Sequence, residues 1–187
     1  MNFISNFNWR PTLSGIALSL LLATGCAQRH NTLSEQEIAD GWELLFDGKT
    51  LDAWKDYNGD SLTMPWRAVD GCIQAHGDGS DLSGYIVTRK QYENFILDWD
   101  WKLSYGGNSG MLYHVVEDPY FKVPYVTGPE YQLIDEAGWE ETNAPTKLEP
   151  WQRLGVDYAM HLPDAAKMRL NPQGEWNNSR IVYDNRS

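Results

Sequence analysis

The chain has 187 residues, with 15 Lys and Arg against 26 Asp and Glu, 2 Cys, 9 Trp and 10 Tyr. No apolar run reaches the ~18–20 residues of a membrane-spanning helix, and two cysteines are too few for a disulfide-stapled miniprotein. A net charge of −11 argues against a nucleic-acid binder, which needs clustered Lys and Arg. At 42% hydrophobic and 22% charged, the chain has the composition of one globular domain with a buried core. Its aromatic density suits β-sheets and sugar-like ligands.

Residues 1–25 carry no acid and one base, Arg10. The apolar stretch Leu13–Ala23 has the length of a signal-peptide core. Ala23-Thr24-Gly25-Cys26 follows and resembles a bacterial lipobox, so Cys26 is expected to be the lipidated first residue of a mature protein. Removing residues 1–25 leaves 14 basic against 26 acidic residues, a net charge of −12. Such a body is expected in the bacterial envelope, at the periplasm or outer membrane, touching the membrane only through its lipid. With Cys26 lipidated, Cys72 has no partner and is expected to be a buried small hydrophobe. Residues 26–40 are polar and read as a tether, with Ser34 to Glu37 opening one helical turn.

The body, residues 41–187, reads as strands. Trp66–Val69, Asp70-Gly71 and Cys72–Ala75 form a hairpin signature. A short strand is predicted at 84–88. In Phe95–Ser104, the residues Phe95, Leu97, Trp99, Trp101 and Leu103 alternate with Asp98, Asp100, Lys102 and Ser104. Gly106 to Gly110 then turns the chain, and 111–116 is predicted as the return strand. A further strand is predicted at 130–135, with weaker ones at 157–162 and 180–183. Short strands and polar loops predict an all-β antiparallel sandwich. A strand this close to Ser187 reads as a sandwich lacking its last strands.

Pairing 95–104 with 111–116 across the glycine turn puts Asp100 and Lys102 on the face of Leu112 and His114. Glu130 and Gln132 join that face if Tyr131 and Leu133 join the core. The predicted result is one surface with Asp100, Lys102, His114, Glu130 and Gln132, flanked by Asn108 and Asp135. The segments 117–129 and 136–151, rich in Tyr, Trp and Pro, could wall a cleft over it. The plainer reading is a solvated outer face. Trp139, Trp151 and Trp176 are candidate ligand platforms or loop anchors.

Several segments together carry a family resemblance. Phe46-Asp47-Gly48-Lys49 with Leu51 and Trp54, Trp66 to Gly71, Gly107-Asn108-Ser109-Gly110-Met111, Pro129 to Asp135, and Gly174-Glu175-Trp176-Asn177 run in order along the body. They resemble the signatures of the 3-keto-disaccharide hydrolase domain family. That resemblance implies a concanavalin A-like jelly-roll sandwich, also used by laminin G-like domains, in a secreted or lipid-anchored bacterial protein. It implies later strands that are missing here, and Arg is frequent in the family where this chain has His114.

The implied substrate is a 3-keto-glycoside, whose keto group acidifies the C2 proton. Proton abstraction, β-elimination of the C1 substituent and rehydration give net hydrolysis without the paired carboxylates of ordinary glycosidases. Glu130 or His114 is the expected base, and Lys102 with the amide of Asn108 or Gln132 the oxyanion support. Asp135, Trp139 and Trp176 are expected to bind substrate. No cofactor is specified, although a divalent ion on Glu130, Asp135 or His114 would serve the same oxyanion. A sugar oxidoreductase is the implied partner. The alternatives are a non-catalytic carbohydrate-binding lipoprotein and a purely structural envelope lipoprotein.

Overall fold

The computed structural model describes residues 30–75 and 84–185 and the backbone of one strand near the N-terminus. In chain order the strands are β1 (Phe3–Asn6), β2 (Trp42–Leu44), β3 (Trp54–Asp56), β4 (Trp66–Val69), β5 (Cys72–Ala75), β6 (Ile86–Thr88), β7 (Phe95–Trp101), β8 (Asn108–Leu112), β9 (Glu130–Ile134) and β10 (Asn177–Tyr183). Helix α1 spans Glu35–Ala39 and α2 spans Glu136–Thr142. No helix among the described residues is long and apolar enough to cross a membrane. The fold is all-β and antiparallel. One sheet has the order β10-β7-β1-β2, and three two-stranded ladders pair β3 with β6, β4 with β5, and β8 with β9.

Local sequence explains several elements directly. Ser34 caps α1 in a reciprocal capping box with Glu37, as the tether pattern predicts. The β4–β5 hairpin closes through Asp70 and Gly71, both at positive φ (50° and 73°), which suits a tight two-residue turn. Cys72 is half-buried rather than fully buried, because its short strand lies near the surface.

Alternation in β7 holds throughout. Phe95, Leu97, Trp99 and Trp101 are buried, while Ile96, Asp98 and Asp100 are less so. The buried set joins Leu45, Trp54 and Leu133 in the core, with Tyr131, Met111 and Tyr113 packed against it. Burying each such large side chain contributes about 1.5–3 kcal/mol. Trp99 meets Tyr131 edge-on at 5.3 Å, so the inner face of the four-stranded sheet packs on the Tyr131 side of β9. A polar bolt crosses the same seam. Trp101 Nε1 donates to Ser179 Oγ at 2.9 Å, and Ser179 Oγ donates to the Tyr131 hydroxyl at 3.0 Å.

The predicted return of 111–116 onto 95–104 does not occur. β7 pairs with β10 and β1, whereas β8 pairs with β9. The glycine turn therefore carries the chain from one sheet to another. Asp135 fixes this crossover, because Oδ2 accepts from Gly106 N–H at 2.8 Å and its backbone N–H donates to Gly107 O at 2.9 Å. The return strand also starts earlier than predicted and ends at Leu112.

Candidate functional site

The β8–β9 register sets the faces. Leu112 opposes Glu130, Met111 opposes Tyr131, and Gly110 opposes Gln132. Tyr131 and Leu133 face the core, so Glu130 and Gln132 face away from it. Further chain covers part of that outer face. A bridge pairs Tyr131 with Asp157, Gln132 N–H donates to Val156 O at 3.0 Å, and Tyr158 N–H donates to Glu130 O at 2.9 Å. Tyr158 therefore lies opposite Glu130 and shares its face. The sequence marked 157–162 as a weak strand. Pairing that segment with 130–135 would have exposed the Tyr158–Glu130 neighbourhood.

Glu130 is half-buried, and its carboxylate makes no hydrogen bond or ion pair among the described residues. The side chain lies across Gly110. A methyl group there would fall 2.6 Å from Cγ and 2.5 Å from Cδ, and closer still to Oε1. Burial without a compensating partner raises the pKa of this carboxyl above its ordinary value. Because the folded pKa is raised, the folded state holds more proton than the unfolded one. Stability then falls as pH rises from the ordinary carboxylate range through the raised value. Glu130→Gln is expected to remove that slope and to stabilise the protein at neutral pH by about 0.5–1 kcal/mol, since water still reaches the group. Thermal melts of both forms in a pH series running upward from the ordinary carboxylate range check this.

The polar groups beside Glu130 form a chain. Gln132, 4% exposed, donates Nε2–H to Gln152 O at 3.2 Å. Gln152 donates Nε2–H to the Tyr158 hydroxyl oxygen at 3.2 Å, while its Oε1 accepts from Glu149 N–H at 3.0 Å. Trp151, 42% exposed, stands edge-on to Tyr158 at 5.3 Å. Arg153 holds this covering segment to α2 through Glu136 at 2.6 Å and Glu140 at 3.3 Å. One face of β9 thus carries a carboxylate, a phenol and an aromatic rim.

Other predicted members lie elsewhere. Lys102 is exposed beyond the end of β7, with Nζ 5.0 Å from the centre of the Trp176 ring. Asp100 points away from the core and takes Asn178 Nδ2–H at 3.0 Å. Both belong to the far sheet, across the core from Glu130, because the glycine turn changes sheets. His114 lies beyond β8 at φ 55°, exposed and stacked on Tyr183 at 4.9 Å. Tyr183 opposes Phe95 on the core side of β10, so the imidazole leaves the Glu130 face. Asp135 caps α2 through Gly138 N–H and holds Gly106, which makes it a structural carboxylate. Trp139 is half-buried on α2. Asn108 is exposed, two residues along β8 from Gly110 on the same face.

Among the described residues no three His, Cys, Asp or Glu side chains converge as a metal site. Glu130, Asp135 and His114 are parted by the cap on α2 and the stack on Tyr183. Cys26 lies outside the described residues. A separate cavity of about 330 Å³ opens between the ends of β7 and β9, lined by Trp101, Leu103, Ile134 and Leu154. Two groups of its polar wall are engaged internally, since Glu136 receives Arg153 and Asn177 receives Asn171 N–H.

An antiparallel β-protein with this carboxylate-bearing face has known relatives. The chain belongs to the family of the 3-keto-alpha-glucoside-1,2-lyase-like domain, whose model matches residues 41–187. It is similar to a 3-keto-disaccharide hydrolase of Bacteroides thetaiotaomicron, 31% identical over 157 residues, covering 77% of this chain and 53% of that protein. The chain therefore spans about half the length of that curated relative. Among solved structures it resembles a candidate glycosyl hydrolase from Parabacteroides distasonis, 43% identical with a TM-score of 0.70, covering 83% of this chain and 70% of the other.

Proposed function

We propose that this protein cleaves 3-keto-glycosides, with Glu130 as the general base that takes the C2 proton. The observation that carries this is the half-buried, unpartnered Glu130 carboxylate laid across Gly110 on an aromatic-rimmed face. A carboxylate whose pKa is raised by burial is a stronger base than a solvated one, and it can take a proton and return it as reversible C2 deprotonation requires. Loss of the C1 substituent from the enolate and addition of water complete the hydrolysis. Asn108, exposed on β8 two residues from Gly110, is the proposed hydrogen-bond donor to the keto oxygen. This reading gives Lys102 no part in that role, since it lies beyond the end of β7 against the Trp176 ring. A divalent ion would serve only as an electrophile for the same oxygen. Turnover lost on chelation and restored by added ion would place one there.

Jelly-roll closure of the sandwich, a leader of residues 1–25 removed ahead of Cys26 and anchoring of the protein to the envelope by lipid belong to the same reading. So does an oxidoreductase that makes the 3-keto group, since the substrate is a glycoside already oxidised at C3.

Incubation with a 3-keto-glucoside in heavy water, followed by mass spectrometry, tests the assignment. Aglycone release and deuterium at C2 are both expected, and both are expected to fall about 10²–10⁴-fold in Glu130→Gln. Undiminished turnover in Glu130→Gln would remove Glu130 from the mechanism. Sugar binding without turnover in the parent protein would favour the carbohydrate-binding alternative.

A further inference from the structure

Elimination needs a proton for the departing oxygen as well as a base for C2, and the Glu130 face holds one group suited to supply it. Tyr158 sits opposite Glu130 across the Tyr131–Asp157 bridge, with its N–H on Glu130 O at 2.9 Å. Both side chains lean toward the row of Gly110, Gln132 and Val156. The Glu130 carboxylate lies over Gly110, which opposes Gln132. The Tyr158 hydroxyl meets Gln152, whose carbonyl takes the Gln132 amide. The carboxylate and the phenol thus belong to strands on either side of Gln132, whose backbones lie two spacings apart, or about 10 Å.

The hydroxyl proton of Tyr158 is uncommitted. Its oxygen accepts from Gln152 Nε2, and Gln152 cannot turn its amide without losing the bond from Glu149 N–H to Oε1. The phenol therefore receives a hydrogen bond within the protein, and none of the described groups takes its own. Trp151, edge-on at 5.3 Å and partly open to solvent, holds the ring and adds an apolar wall.

We propose that Tyr158 is the catalytic acid that protonates the departing C1 oxygen while Glu130 takes the C2 proton; this rests on the function proposed above. The C2–H bond breaks and its proton passes to Glu130. The electron pair becomes the C1–C2 double bond as the C1–O bond breaks, and the Tyr158 proton goes to the leaving oxygen. Water then adds its oxygen to C1 and its proton to the Tyr158 phenolate, and Glu130 returns its proton to C2. The sum is hydrolysis, with both groups restored and no redox change.

Leaving-group dependence tests this. Tyr158→Phe is expected to lower release of an alkyl aglycone from its 3-keto-glucoside by about 10²–10⁴-fold. Release of 4-nitrophenol, which departs without protonation, is expected to change by less than about 10-fold, and C2 deuterium uptake is expected to persist. Gln152→Met, which keeps the phenol and removes its support, is expected to show a smaller loss with the same bias toward poor leaving groups. This second variant decides the matter if the first fails to fold. Equal losses for both leaving groups, or alkyl release unchanged, would overturn the assignment. Failure of the base assignment looks different, because C2 exchange would then survive in Glu130→Gln.

Discussion

Gly110→Ala is expected to abolish most turnover while leaving the melting temperature nearly unchanged. The added methyl would occupy the space now held by the Glu130 side chain, with Cδ at 2.5 Å and Cγ at 2.6 Å. The obstructing atoms are the free end of a flexible side chain with no partner to hold it. The carboxylate is therefore expected to swing aside at little cost in stability. Displacing a base from its reaction geometry costs about as much as deleting it, on the order of 10²–10⁴ in kcat/KM. The double variant with Glu130→Ala separates this from general damage. With the carboxylate gone, the alanine at 110 has room, and its further cost in activity and stability is expected to vanish. A large independent loss in that background would show that Gly110 is needed by the backbone instead. The second glycine of the Gly107–Gly110 signature thus acquires a physical reason, which is close passage of a side chain over the strand.

Trp99→Ala is expected to be the most damaging single change to folding. Trp99 is 2% exposed at the centre of the core and contacts Tyr131 edge-on at 5.3 Å. Deleting it leaves a large cavity at the seam of the two layers, at a cost of about 3–5 kcal/mol. For a domain of this size that lowers the melting temperature by roughly 6–20 °C, measurable by calorimetry. Trp99→Phe should cost far less. It keeps a ring against Tyr131 and removes the buried Nε1–H, which has no hydrogen-bond partner among the described residues. If the alanine variant melted like the parent, the seam would not be where the stability of this fold resides.

The outcomes at particular residues show which features local sequence can reveal. The Asp70-Gly71 hairpin and the alternation of Phe95 to Trp101 were legible because turn chemistry and period-two burial are local. β2 and β3 were not singled out, since three residues are too few to show a period. Helix α2 escaped because seven residues, capped by a carboxylate already read as part of a site, give little helical signal. The larger miss was the glycine turn placed at 106–110. Alternation says which side chains share a face of a strand, but not which sheet the next strand joins. A crossover and a hairpin look alike there, and only the long-range bonds of Asp135 to Gly106 and Gly107 distinguish them. The error carried Lys102 and Asp100 onto the wrong layer. His114 failed for a separate reason, because strand β8 ends before it and a positive φ turns its ring toward Tyr183. Glu130 and Gln132 kept their predicted shared face because they follow from a single short strand.

One strand bears on the life history of the chain. β1, Phe3–Asn6, lies between β7 and β2 and bonds to both, yet it falls within the proposed leader. In that proposal, secretion and this pairing compete for the same four residues. A peptidase cutting ahead of Cys26 would have to act before the sheet zips shut, or the sheet would have to reopen to release its own middle strand. After the cut, β7 and β2 would be left with facing rows of unsatisfied amides and carbonyls, a gap that another extended segment would have to bridge.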